Sequence, residues 1–391
     1  MKSIRFIIFI IVLAQFCCTS LWFATNAVLG ELLLDFQLNE NALEHLTSAV
    51  QFGFIIGTLL FALFSIADRF SPSKVFFICA LLGACINAIT ILESNNFFSL
   101  LLIRFSSGFF LAGIYPVGMK IASDYSDKGL GKALGFLVGA LVLGTAFPHL
   151  LNGLFVQISW HAVIVTTSLI ALFGGLLILL FVPNGPYRKR NNKPAFKTGI
   201  LIFQNPKLRT AALGYFGHMW ELYSFWAFVP IILTTYFRLH KSISPNISLY
   251  SFIIIGVGGL ACVIGGFLSS KYGEKRIARI ALLLSGICCL LSPFLFHIDS
   301  SLIFIGFLVF WGMVVVADSP LFSTLVAQNT PAEYRATSLT LVNSIGFAIT
   351  IISIQCISLA SNYLDPKFLY LILAIGPIVG VLALYRKKSL S

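Results

Sequence analysis

Charged residues are scarce in this chain of 391 residues. Asp, Glu, Lys and Arg together make up 10% of the sequence, and only 14 residues are acidic. Water-soluble domains carry about a quarter of their residues as charged side chains, so we expect no sizeable soluble domain. A hydrophobic share of 58% and a mean hydropathy of +0.95 predict an all-α membrane protein instead.

The sequence also lacks the residue patterns of metal and catalytic centres. All eight cysteines fall within apolar stretches, without the paired spacing or the His and acidic neighbours of a metal site. No Ser/His/Asp set and no glycine-rich phosphate loop is recognisable. We therefore expect no metal site, no cofactor and no enzymatic activity.

Long apolar runs take up most of the chain. Most of them reach the roughly 20 residues with which a helix crosses about 30 Å of hydrocarbon. The twelve runs, numbered here as spans 1 to 12, cover residues 4–29, 45–66, 75–93, 97–122, 131–155, 161–182, 207–237, 248–270, 277–297, 300–328, 333–360 and 366–385. This pattern predicts twelve transmembrane helices.

The basic residues alternate between the two sides of the spans. Of the 26 Lys and Arg residues, 22 lie on the side of the N-terminus, three lie on the other side, and Arg104 lies within span 4. The positive-inside rule then predicts that both termini are cytoplasmic. Because the cations stand in short loops beside the lipid headgroups, the net charge of +12 indicates contact with the bilayer rather than with nucleic acid.

A basic loop divides the spans into two sets of six. We predict an N-terminal bundle over residues 1–182, a cytoplasmic linker over 183–206 and a C-terminal bundle over 207–391. The loop after span 2 reads FSIADRFSPSK, and the loop after span 8, 202 residues later, reads GFLSSKYGEKR. Such an internal repeat favours two parallel halves of one fold.

These two loops resemble the signature of the major facilitator superfamily, which has a glycine, an Asp-Arg pair, a second glycine and two basic residues. Between them the copies keep Asp68, Arg69, Lys74, Gly266, Gly273, Lys275 and Arg276. The run RFSSGFFLAG from Arg104 resembles a second family motif, and the run from Gly214 to Tyr223 resembles uncharacterised bacterial members. The resemblance implies two pseudo-symmetric six-helix bundles, an inner-membrane location and a gating role for the loop residues, with Asp68 closing against the start of span 11.

The resemblance also implies that spans 1, 4, 7 and 10 line a central cavity. Three of these spans carry a formal charge deep in the membrane, at Arg104, Glu221 and Asp318, and such charges need a partner or a function. Helical spacing places further polar and aromatic residues on the same faces, namely Gln15, Trp22, Asn26, Tyr115, His218 and Trp311. We expect this set to bind the substrate or to couple its movement to an ion.

Two interpretations are open for each of these charges. Arg104 either binds an anionic group of the substrate through its planar fork of donors or bonds backbone carbonyls and holds the bundle together. Glu221 and His218, one turn apart, either share a coupling proton or form static pairs. For Asp318, two residues before Pro320, we favour a role in the helix kink over ligand binding.

The expected function is secondary active transport of a small solute by alternating access, coupled to protons, and the solute is anionic if Arg104 binds it. Efflux of drugs or metabolites by proton antiport is the alternative within this class. A non-transporting sensor is the alternative from another class, although the sequence has no large domain outside the membrane to pass on a signal. The expected partners are the substrate, protons and the lipid bilayer, and the sequence leaves the oligomeric state open, with a monomer as one plausible form.

Overall fold

The chain is helical over nearly all of the part that the computed structural model describes, residues 4–39, 41–125, 130–154, 159–188, 204–241, 245–331 and 335–385. In these ranges ten helices are long and apolar enough to cross a membrane. Two shorter apolar helical segments, Ile4–Thr19 and Leu369–Tyr385, stand at spans 1 and 12. All twelve predicted spans are therefore present as helices.

Each half contributes six spans. In the N-terminal half, span 1 comprises Ile4–Thr19, Ala24–Ala27 and Leu29–Asp35, and spans 2 to 6 are Ala42–Leu63, Pro72–Ile89, Phe97–Leu111 with Tyr115–Asp124, Leu130–Leu154 and Trp160–Phe181. In the C-terminal half, spans 7 to 11 are Pro206–Leu239, Ile247–Tyr272, Glu274–Leu295, Ser301–Val314 with Ser319–Gln328, and Arg335–Ala360. Span 12 begins as a 3-10 helix, Leu369–Ala374, and continues as Ile375–Tyr385. A four-residue helix, Ile66–Arg69, lies in the loop after span 2.

Asparagine side chains cap the first turns of three spans. At span 4, Asn96 Oδ1 accepts a hydrogen bond from the N–H of Ser99 at 3.0 Å, while the N–H of Asn96 donates to Ser99 Oγ at 2.8 Å. Asn205 and Asn246 accept hydrogen bonds from backbone N–H groups at the starts of spans 7 and 8. Each cap satisfies an amide that the first helical turn leaves without a partner.

Spans 4 and 10 break at matching positions. In each, a second helix begins with proline in its first turn, at Pro116 and at Pro320. A proline ring suits the first turn of a helix but cannot continue a helix that precedes it. Span 1, predicted as one run over 4–29, is also broken, because its first helix ends at Thr19 and the next begins at Ala24.

Spans 5 and 8 bring the backbones of the two halves into contact. A Cβ atom added to Gly139 would stand 2.9 Å from the carbonyl oxygen of Gly259, and a Cβ on Gly259 would stand equally close to the carbonyl oxygen of Gly139. No side chain fits at such a distance. The two glycines therefore allow a closer approach of the halves than any other residue would.

Hydrogen bonds also cross the boundary between the halves. They join Asn152 Nδ2 to Ser248 Oγ at 3.2 Å, Gln355 Nε2 to Ser48 Oγ at 2.9 Å and Thr58 Oγ1 to Ser344 Oγ at 3.2 Å. The first two bonds lie near the span ends away from the basic loops, and the third lies closer to the basic side. The halves are thus held together on both sides of the molecule's centre.

Candidate functional site

A small enclosed cavity lies where the two halves meet. Its volume of about 20 Å³ is close to the room that one water molecule needs. Residues from spans 4, 5, 7, 10 and 11 line it, namely Tyr115, Val138, Leu141, Tyr215, Met219, Leu222, Tyr223, Trp226, Val316, Ser319 and Phe347. Because both halves contribute to the lining, a movement of one half against the other changes this space directly.

An aromatic cluster closes one side of the cavity. The ring of Trp22 stacks on Tyr223 and on Phe347, with centroid distances of 5.6 and 5.5 Å. Phe54 of span 2 packs against both Trp22 at 4.9 Å and Phe347 at 4.6 Å. Trp22 lies fully buried among rings from both halves and packs on two lining residues, while Tyr115 lines the cavity itself.

Arg104 is tied to the break in span 1. Its side chain is fully buried, its Nη1 donates to the carbonyl oxygen of Leu21 at 3.0 Å, and its Nη2 donates to the carbonyl oxygen of Trp22. These carbonyls lie in the break, where no helical turn takes up their oxygens. This geometry agrees with the interpretation in which Arg104 bonds backbone carbonyls and holds the bundle together, because both terminal nitrogens of its guanidinium donate to the main chain.

Two other predicted residues of span 1 lie in the N-terminal half. Asn26 Nδ2 donates to Thr47 Oγ1 of span 2 at 2.8 Å. The amide of Gln15 is fully buried and lies close to Gly118 of span 4, and among the described residues it has no hydrogen-bond partner. Neither side chain reaches the lining of the central cavity.

Glu221 binds spans 7, 9 and 10 together. One carboxylate oxygen, Oε1, accepts hydrogen bonds from Trp311 Nε1 at 2.6 Å, from Cys289 Sγ at 3.2 Å and from Ser285 Oγ. The side chain is 1% exposed. Three donors on one oxygen favour the ionised carboxylate and hold it inside the C-terminal bundle.

His218 pairs with Asp318 rather than with Glu221. His218 Nδ1 lies 2.8 Å from Asp318 Oδ1, and both side chains are 1% exposed. The expected shared proton between His218 and Glu221 is therefore not the arrangement found, because the two side chains point to different neighbours. The carboxylate of Asp318 makes no capping bond at the start of the second helix of span 10, and its role in the kink stays a prediction.

Several residues of the site escaped the sequence interpretation. Spacing centred on Glu221 selected one face of span 7, but the cavity is lined by the adjacent face, which carries Tyr215, Tyr223 and Trp226. Ser285 and Cys289 of span 9 were missed as well. Their spacing in the sequence does indicate them. Two small polar residues four positions apart in an apolar helix lie on the same face, and that face needs a polar partner.

The predicted gating residues lie in and beside the loops after spans 2 and 8. The first loop passes through Ser65 with a φ of 51° before the helix Ile66–Arg69, whereas Gly273, with a φ of 84°, alone separates spans 8 and 9. Gly266 is buried in span 8. The basic side chains are exposed, namely Arg69, Lys74, Lys275 and Arg276. The side chain of Asp68 and residues 332–334 lie outside the described residues, so the contact of Asp68 with span 11 stays a prediction.

The repeat, the two sets of six spans and the lining from both halves agree with a comparison of the sequence with protein families. The sequence model of the Major Facilitator Superfamily matches residues 11–354. The chain belongs to this superfamily. It is accordingly a multi-pass membrane transporter and not an enzyme.

Relatives within the superfamily are distant. An uncharacterized transporter of Buchnera aphidicola is 23% identical over 347 residues, which cover 86% of this chain and 81% of the relative. A protein of Escherichia coli named "Probable L-galactonate transporter" is 21% identical over 57% of this chain and 56% of its own length. Both are named transporters rather than sensors.

A solved structure shows the same superfamily fold. The proton:xylose symporter XylE, bound to 6-bromo-6-deoxy-D-glucose, superimposes with a TM-score of 0.76 at 14% sequence identity. The superposition covers 97% of this chain and 95% of that one. The predicted arrangement of twelve helices in two pseudo-symmetric bundles is thereby confirmed.

Proposed function

We propose that this superfamily member is a secondary active transporter that moves a small organic solute by alternating access and couples the movement to protons. The two six-helix halves rock about the central cavity, which residues of both halves line. The bonds across the boundary, such as Asn152 to Ser248, must break on one side at a time. The protein belongs to the inner membrane with both termini in the cytoplasm, as the distribution of its Lys and Arg residues favours.

The observation that carries proton coupling is the contact between His218 and Asp318. The pair is buried and connects span 7 to the break of span 10, and the residue after Asp318 is Ser319, which lines the cavity. Gain or loss of one proton changes the net charge of the pair by one unit in an apolar environment, where such a change is felt strongly. Protonation can thus bias the packing of span 10 and with it the shape of the cavity.

Glu221 has a different role in this proposal. Its oxygen already has three donors from spans 9 and 10, so it holds the C-terminal bundle rather than carrying the coupled proton. The anionic substrate predicted from Arg104 is not part of the proposal, because both terminal nitrogens of that side chain donate to main-chain oxygens. The loop residues around Asp68 and Gly273 act as the inner gate.

Uptake into proteoliposomes tests the coupling. The names of the structural neighbour and of one relative suggest two first solutes, the neutral sugar D-xylose and the sugar-acid anion L-galactonate. With an acidic exterior, the wild-type protein should accumulate the transported solute above its external concentration. Accumulation driven by the opposite gradient would identify antiport and efflux instead.

The variants Asp318→Asn and Glu221→Gln form a matched pair for this assay, since both replace a carboxylate with an amide. We expect Asp318→Asn to retain exchange of labelled for unlabelled solute and to lose accumulation, while Glu221→Gln keeps both at a lower thermal stability. If Asp318→Asn accumulates solute as the wild type does, the pair is not the coupling site.

A further inference from the structure

The lining of the central cavity carries no formal charge. Its polar groups are the hydroxyls of Tyr115, Tyr215, Tyr223 and Ser319 and the indole N–H of Trp226. The nearest charged contact is that of Asp318 with His218, one residue before Ser319. An anion placed in this cavity would meet no cation and would lie close to a carboxylate, which makes its burial there costly.

One of these polar groups is a buried donor without an acceptor. The indole nitrogen Nε1 of Trp226 makes no hydrogen bond within the ranges that the structure describes, and a buried donor without an acceptor destabilises a protein by about 1–3 kcal/mol. Tyr115, Tyr215 and Tyr223 line the same space and bring three further hydroxyl donors. Donors from both halves therefore surround a site that can take acceptors.

Other aromatic rings pack against two rings of this site, Tyr223 and Trp226. Tyr223 is stacked by Trp22 and packed by Phe347, with centroid distances of 5.6 and 5.2 Å, and Trp226 packs edge-on against Tyr223 at 5.1 Å. A cationic ligand is attracted to open aromatic faces. Here other rings already pack against Tyr223 and Trp226, which favours a ligand with acceptor oxygens over a cation.

We propose that the substrate is an uncharged solute whose hydroxyl or carbonyl oxygens accept hydrogen bonds from Tyr115, Tyr215, Tyr223 and Trp226. This inference rests on the proposed transport function and names the substrate class for it. In this structure the cavity holds only about 20 Å³, so the solute binds when the halves move apart and is enclosed by these side chains as they approach again.

Matched ligands of constant ring shape test the charge. The purified protein in detergent is heated with D-galactose, D-galacturonate or D-galactosamine, and in parallel with uridine or uridine 5′-monophosphate, while tryptophan fluorescence reports unfolding. We expect a neutral member of one set to raise the unfolding temperature in a saturable way and its charged counterparts to have no effect at the same concentrations. Absence of stabilisation by both neutral rings, or tighter binding of a charged member, overturns the proposal.

Conservative variants test the site itself. Tyr223→Phe keeps the ring and Trp226→Phe keeps an aromatic ring, and each variant removes one donor, so each should weaken binding of the neutral ligand about three- to tenfold. Tyr363→Phe, at a tyrosine that is 86% exposed, should bind as the wild type does. Wild-type affinity in the two cavity variants would contradict the assignment.

Transport separates this inference from the function on which it rests. Proton-driven accumulation of a charged solute would leave the transport proposal standing and reject the neutral substrate. If a neutral ligand binds and the Asp318→Asn variant still accumulates it, the neutral substrate stands and the proposed coupling through His218 and Asp318 is rejected.

Discussion

The two halves of this transporter treat their buried charges differently. In the N-terminal half, Arg104 donates to the carbonyl oxygens of Leu21 and Trp22, which belong to the main chain. In the C-terminal half, Glu221 and Asp318 contact side chains of Ser285, Cys289, Trp311 and His218. These charged side chains therefore contact the main chain in one half and other side chains in the related half.

The difference separates a structural role from a chemical one. Main-chain oxygens do not titrate, so the acceptors of Arg104 keep the same form whatever the proton concentration. The side chains of histidine and aspartate are groups that can gain or lose a proton. Arg104 is thus bound to the main chain of a broken helix, whereas the contact of His218 with Asp318 is the one that responds to a proton gradient under the proposed function.

Removal of Arg104 should have the largest effect on stability. Arg104→Ala leaves two buried carbonyl oxygens at the break of span 1 without donors, and we expect a loss of about 2–5 kcal/mol in the free energy of unfolding. Arg104→Lys, with a compact ammonium in place of the fork, should recover part of it. Thermal unfolding in detergent measures both.

Arg238→Ala is the control, because Arg238 is exposed at the end of span 7. It should unfold at nearly the wild-type temperature. The structural role would be refuted by an Arg104→Lys protein that is fully stable yet transports nothing, since that combination indicates contact with the solute.

Loss of a donor to Glu221 should have an intermediate effect. Trp311→Phe keeps an aromatic ring beside Phe225 but removes the N–H that donates to the carboxylate, and hydrogen bonds to charged groups contribute about 1.5–3 kcal/mol. Trp220→Phe removes a comparable bond to the neutral carbonyl oxygen of Ile372. For Trp220→Phe we expect the free energy of unfolding to fall by about 1 kcal/mol. Equal losses in the two variants would argue against an ionised Glu221.

The smallest effects should come from the two loops after spans 2 and 8. Gly273 has a φ of 84°, and an added Cβ would have no neighbour within 4 Å. Gly273→Ala therefore introduces backbone strain but no steric clash, and we expect it to lower the free energy of unfolding by about 1 kcal/mol. Ser65, with a φ of 51°, already carries such strain, and Ser65→Gly should stabilise the protein slightly. Gly306→Ala, in a helical stretch with equal space, is the control and should not destabilise it. If Gly273→Ala is equally harmless, the positive φ at residue 273 does not require glycine.

Much of the fold follows from local patterns in the sequence. Each apolar run is long enough to span a bilayer by itself, and the loops after spans 2 and 8 repeat closely enough to indicate two related halves. The break in span 10 is signalled by Pro320. The break in span 1 carries no proline and could not be predicted, because Arg104 stabilises it from another helix.

The residues of the site were predictable as a set, but their partners were not. His218 and Glu221 lie three residues apart on one helix, yet the rotation of span 7 turns His218 towards span 10 and Glu221 towards spans 9 and 10. The same rotation brings Tyr215, Tyr223 and Trp226 to the cavity.

Composition and periodicity alone determined that this chain is a helical membrane protein with twelve spans in two halves, because a bilayer requires continuous apolar helices whose backbone groups bond within the segment. Tertiary structure alone decided which groups each buried charge contacts and which side chains line the cavity. The reason is physical, since the partner of a buried polar group depends on the tilt and rotation of neighbouring helices, and the packing of the whole bundle sets both.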